Sequence, residues 1–148
     1  MIRRLVLGLL LALLASQANA ASCFWVGGTA TWDGTNTGGG GAGGIKWAST
    51  TGGGTSCAGS GTGGAPGAAD LATFDGASGG GTVTVNTTVA LQSLTCGAFT
   101  GTLTFATNNN NVTLGPASVP FDCSGAGPRT LNLGNGTWTI STASASNV

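Results

Sequence analysis

Histidine, glutamate and tyrosine are absent from this chain, and charged residues make up only 5% of its 148 positions. Each absence removes a class of chemistry. Without histidine there is no Ser/His/Asp or Cys/His nucleophile pair. A zinc site would need all four cysteines, Cys23, Cys57, Cys96 and Cys123, gathered from across the sequence, and no two of them form a CxxC pair. Without glutamate, the two carboxylates of glycan hydrolysis must come from Asp33, Asp70, Asp75 and Asp122. Each of these has a simpler role in capping a turn or binding backbone N–H groups. No catalytic residue is assigned, and a non-enzymatic protein is expected. The glycines sit in low-complexity runs, so no phosphate-cradling or dinucleotide fingerprint is credible.

The few charges are also unevenly placed. Arg3 and Arg4 precede an apolar stretch of 11 residues, Leu5 to Ala15, and Ala18-Asn-Ala20 fits the small-x-small cleavage rule. The pattern predicts a secretory signal over 1–20 and a mature chain from Ala21. That chain keeps Lys46 and Arg129 against four aspartates, a balance of 2 − 4 = −2. Two isolated cations cannot displace phosphate counterions, so nucleic acid is not an expected partner. No second long apolar run follows, and no membrane insertion is expected once the signal is removed. The expected location is secreted, extracellular or at the cell surface. There the even cysteine count favours disulfides, with three connectivities open.

Glycine is abundant, at 29 residues, and 15 of them fall in the 36 residues from Gly34 to Ala69. This segment reads as a flexible excursion pinned near Ile45 and Trp47. Before it, Phe24-Trp-Val26 and Thr29-Ala-Thr-Trp32 are β-prone and separated by Gly27-Gly28, a hairpin signal. Residues 21–33 are therefore expected to form N-terminal cap strands.

From Asp70 onward, short Thr-rich strands recur. One series is Thr82-Val-Thr-Val85, Thr102-Leu-Thr-Phe105, Pro120-Phe-Asp-Cys123 and Thr137-Trp-Thr-Ile140, with starts 20, 18 and 17 residues apart. The other is Ser93-Leu-Thr-Cys96, Asn111-Val-Thr-Leu114 and Thr130-Leu-Asn-Leu133, with starts 18 and 19 apart. Apolar and Thr positions alternate with period 2. Spacing of this kind predicts an all-β fold, a parallel β-solenoid (β-helix) of roughly three coils over 70–148, with an N-terminal aromatic cap and a Gly-rich loop. Val83, Val85, Leu94, Leu103, Phe105, Val112, Leu114, Leu131, Leu133, Trp138 and Ile140 should face inward. After Ile140 nothing in the tail can cap an apolar end. Further coils of the same chain, or self-association, are the expected partners.

The segments Phe24-Trp-Val-Gly-Gly-Thr-Ala-Thr-Trp-Asp33, Asp70-Leu-Ala-Thr-Phe-Asp-Gly76, Leu94-Thr-Cys-Gly-Ala-Phe-Thr-Gly-Thr-Leu-Thr-Phe105 and Arg129-Thr-Leu-Asn-Leu-Gly-Asn-Gly-Thr-Trp-Thr-Ile140 resemble exported or phage-associated β-helix proteins, among them surface adhesins and tail-fibre-like proteins. The resemblance implies a structural or adhesive module.

Three groups of candidate site residues remain. Trp25, Trp32 and Trp47 are a candidate stacking platform for surface glycans, as in a tail-spike-like protein, or else an end cap. The Thr-x-Thr pairs Thr29/Thr31, Thr82/Thr84, Thr102/Thr104 and Thr137/Thr139 are a candidate threonine ladder, as in ice-binding proteins, with Phe121-Asp122 interrupting it. Asp70 and Asp75 are candidate oxygen ligands for calcium. No cofactor is expected.

Overall fold

The computed structural model describes residues 20–125 and 127–143. Residues 1–19 of the expected signal over 1–20, and the tail over 144–148, lie outside the described residues. Twelve short strands fall into three small sheets, and no α-helix is present among the described residues.

The first sheet holds five strands, β1 (Ser22–Trp25), β3 (Trp47–Ala48), β4 (Leu71–Thr73), β7 (Ser93–Thr95) and β10 (Phe121–Asp122), in the order β10-β7-β4-β1-β3. It is mixed: β3 runs antiparallel to β1, and the other neighbours are parallel. The second sheet is parallel, in the order β11-β8-β5-β2, from β2 (Ala30–Trp32), β5 (Thr82–Val85), β8 (Thr102–Thr104) and β11 (Thr130–Asn132). The third is parallel, in the order β12-β9-β6, from β6 (Val89–Leu91), β9 (Val112–Ala117) and β12 (Trp138–Thr142).

The single β-solenoid expected from strand spacing is thus not the arrangement found. Each near-regular series ran through strands of different sheets. Of the first series, Thr82–Val85 and the Thr102 strand belong to the second sheet, Phe121–Asp122 to the first and the Trp138 strand to the third. The strands that do pair are unevenly spaced. Thr82 meets Thr102, 20 residues on, and Thr102 meets Thr130, 28 on. Leu94 meets Phe121, 27 on, and Val89 meets Val112, 23 on. Loop length, which alternation does not encode, decides which sheet a strand joins.

The expected N-terminal hairpin is also replaced. β1 pairs with β3 and β4, and β2 pairs with β5. Gly28, at φ +61°, turns the chain from the first sheet into the second instead of folding it back.

Inward residues of the three sheets share one core. Val83, Val85, Leu94, Leu103, Phe105, Val112 and Leu114 are fully buried, as expected from alternation. Four aromatic rings, Trp25, Trp32, Trp47 and Phe74, pack together with centroids 5.0–5.9 Å apart, and Phe74 passes the contact on to Phe99. At the opposite end, Leu131 and Trp138 are only half-buried, and Leu133 and Ile140, expected inside, are exposed. β10, β11 and β12 are each the last strand of their sheet, so no strand among the described residues covers that end.

The Gly-rich segment is tied down at several points. A bridge joins Thr37 to Ile45, and Trp47 is fully buried. The Asn36 side chain donates to the Trp47 carbonyl (2.9 Å) and to Ser56 Oγ (2.8 Å), and accepts from the Lys46 amide. Disulfides join Cys23 to Cys57 and Cys96 to Cys123.

Candidate functional site

The outer face of the second sheet is a threonine array. In-register parallel pairing aligns Thr82, Thr102 and Thr130 in one column. It aligns Thr31, Thr84, Thr104 and Asn132 in a second. Inward partners alternate with them: Val83 lies beside Leu103, and Leu103 beside Leu131. Rungs of a column are about 4.8 Å apart, and the columns stand about 6.6 Å apart along the strands. Thr31, Thr82, Thr130 and Asn132 are exposed, Thr84 and Thr102 half-buried, and Thr104 buried. Thr29 extends the first column, its Oγ1 accepting from the Thr82 amide at 3.3 Å.

The sequence places β-branched residues here for two reasons that agree. Threonine favours the extended backbone, and its short hydroxyl tolerates solvent. None of the four strands contains a charged residue. The nearest charges are committed elsewhere. Arg129, before β11, donates to the carbonyls of Cys123, Gly97 and Gly125. Asp33, after β2, pairs with Lys46 at 2.7 Å. The face is therefore neutral, hydroxyl-bearing and methyl-bearing.

Of the candidate ladder, the structure brings Thr29, Thr31, Thr82, Thr84, Thr102 and Thr104 together. It places Thr137 and Thr139 elsewhere: Thr139 pairs with Thr113 in the third sheet. Phe121–Asp122 does not interrupt the array, because β10 lies in the first sheet. Thr130 and Asn132 belong to the array, yet their strand reads as Thr-Leu-Asn-Leu, which hides its kinship with Thr-x-Thr.

Trp25, Trp32 and Trp47 lie inside the protein, at 0%, 2% and 0% exposure. Their faces and edges contact one another and Phe74. Trp32 borders a cleft of about 220 Å³ together with Thr62, Pro66, Thr87 and Ala90.

The carboxylates are held by local donors. Burial pushes Asp33 upward, but hydrogen bonds from Lys46 and Thr35 and the Lys46 charge outweigh it, and its pKa falls below the usual carboxylate value. Burial likewise opposes ionisation of Asp70, and donors from Ser60, Gly67 and Ala21 overcome it. The Ser124 hydroxyl and amide lower Asp122. Asp75 caps the turn Gly76–Ser78 through the amides of Ala77 and Ser78. Asp70 and Asp75, the candidate calcium ligands, thus both face N–H and O–H donors, and no cluster of three metal-ligating side chains exists among the described residues.

No protein-family model, curated protein or solved structure matches the chain. The two disulfides fit an oxidising, extracellular environment. No helix among the described residues is long and apolar enough to cross a membrane.

Proposed function

We propose that the mature chain is a secreted, non-catalytic structural or adhesive module of a cell-surface or fibre-like assembly, and that the outer face of its second sheet is the contact surface. The observation that carries this reading is the pair of in-register columns, Thr82–Thr102–Thr130 and Thr31–Thr84–Thr104–Asn132. A neutral face of hydroxyls and methyls suits a solid, hydroxyl-rich partner such as a surface polysaccharide. Its hydroxyls donate and accept, and no charge must be desolvated. Co-sedimentation of the mature protein with insoluble cellulose, chitin and peptidoglycan tests it. Saturable pelleting with at least one of them is expected, and its absence from all three counts against the reading.

Ice binding is a second reading, favoured by the two-directional regularity of the same columns, at about 4.8 Å by about 6.6 Å. It expects thermal hysteresis in a freezing assay and no pelleting with polysaccharide.

The end where, among the described residues, β10, β11 and β12 present edges and Leu133 and Ile140 are exposed is the proposed site of self-association. Light scattering of the mature chain across a concentration series reads it.

A further inference from the structure

We infer that cleavage between Ala20 and Ala21 creates a structural ion pair, in which the new α-ammonium of Ala21 docks on the buried carboxylate of Asp70. The leader and its cut after Ala20 are a reading of the sequence, independent of the threonine face.

The geometry is already in place. Ala21 N lies 2.9 Å from Asp70 Oδ1. Asp70 is 2% exposed, whereas Ala20 is exposed to solvent. Asp70 Oδ2 is fully engaged, accepting from Ser60 N (2.6 Å), Ser60 Oγ (2.7 Å) and Gly67 N (2.8 Å). Oδ1 accepts from Ala21 N. Among the described residues, no side-chain cation serves this carboxylate. Lys46 is bound to Asp33, and Arg129 is bound to three carbonyls. Among the described residues, Asp70 is therefore a buried charge held by neutral donors, with no counter-charge beside it.

Cleavage supplies one. Water adds across the Ala20–Ala21 peptide bond. Ala20 leaves with the carboxylate, and the released amine of Ala21 takes a proton and becomes –NH₃⁺. A neutral N–H···O bond becomes a charge-assisted one, roughly twice as strong. The position of Ala21 is fixed from its other side, because its carbonyl accepts from the Leu71 amide at 2.9 Å and Ser22 opens β1 against Leu71 of β4. The pair would fasten four segments at one point. These are the new N-terminus, the Gly-rich segment through Ser60 and Gly67, β4, and the start of β7, since the Asp70 carbonyl accepts from Gln92 N at 2.9 Å.

The test uses the exported protein. Expression of the full chain in a secreting host, followed by intact mass measurement, should give a product starting at Ala21; a different start overturns the inference. The mature protein is then compared with the same protein acetylated at its α-amine, which keeps an N–H donor but removes the charge. At pH 6–7 the free-amine form should melt higher, with an unfolding constant about tenfold lower. The pairing raises the amine's pKa, so its contribution is full below the ordinary α-amino value of about 8 and is lost as pH rises through the higher folded value. The gap between the two forms should accordingly close in alkali. In an Asp70→Asn background the gap should vanish; if that variant does not fold, the pH series on the unmutated protein decides. Equal melting of the free and acetylated forms at pH 6–7, or a gap that persists unchanged above the amine's titration, overturns the inference.

Discussion

Trp25 of β1 and Trp47 of β3 are register partners, and their rings meet edge to face at 5.0 Å and 81°. This contact draws the middle of the Gly-rich segment into the core. Trp47 also touches Trp32 and Phe74, so its ring joins the first and second sheets. Replacing Trp47 by Ala is expected to cost about 3–5 kcal/mol, with a matching fall in Tm. A variant melting with the wild type would show that the segment packs independently of this ring.

Close backbone approach sets a second expectation. A Cβ added at Gly101 would run into the Gly81 carbonyl and the edge of the Phe99 ring, on the turns that feed β5 and β8. Neither neighbour can swing away as a flexible side chain would. Gly101→Ala is expected to destabilise by about 1–3 kcal/mol, read by urea denaturation. Unchanged stability would mean that the second sheet shifts freely at this point, which in-register columns do not permit.

The all-β character and many inward positions were legible in the sequence, and the arrangement of the strands into three sheets was not, for separable reasons. Alternation identified Val83, Val85, Leu103 and Phe105 as inward, because side-chain direction along a strand is local. Sheet membership is not local. Phe121–Asp122 and Trp138–Thr142 carry the same kind of signal as Thr82–Val85 yet enter other sheets, since connecting loops of different length deliver them there. β6 went unrecognised because Val89-Ala-Leu91 is three residues long and follows a turn-rich Asn-Thr-Thr. Thr29, Thr31, Thr82, Thr84, Thr102 and Thr104 of the threonine face were visible as Thr-x-Thr pairs. Thr130 and Asn132 became visible only through pairing with Thr102 and Thr104. The burial of Asn36 left no trace in the sequence, because its partners are backbone groups of Lys46 and Trp47 and the hydroxyl of Ser56, 20 residues on.

The Gly-rich segment remains the place where a protease is expected to cut first. Its anchors are Asn36, Trp47 and Cys57, and the exposed residues between them include Gly38, Gly43, Gly44, Gly52 and Gly54. Brief digestion with a protease of broad specificity, followed by mass mapping, should place early cuts between these anchors. Early cuts within residues 81–140 would contradict this order of stability.

Acid should weaken the fold through two carboxylates. Asp33 and Asp70 both ionise below their ordinary value in the folded protein. Their stabilisation is complete above about pH 4, the unfolded value, and is lost as pH falls through the lower folded values. Melting temperatures measured from pH 6 down to 2 should therefore hold and then decline below about 4. Asp70→Asn should flatten that decline more than Asp33→Asn, because Asp33 is 38% exposed and solvent screens its bond to Lys46. Equal declines in the two variants and the wild type would mean that other groups carry the acid sensitivity.

The contact face is tested most directly by charging it without touching the core. Thr82→Lys combined with Thr102→Lys places two cations on adjacent rungs of one column, while Thr139→Lys places one on the third sheet, outside the array. Each protein is mixed with the polysaccharide that pellets the wild type, and the bound fraction is measured alongside Tm. The double variant is expected to stay in the supernatant, with binding at least tenfold weaker and Tm within a few degrees of the wild type, and Thr139→Lys to pellet normally. A double variant that pellets like the wild type while remaining folded would show that the threonine columns are not the contact surface.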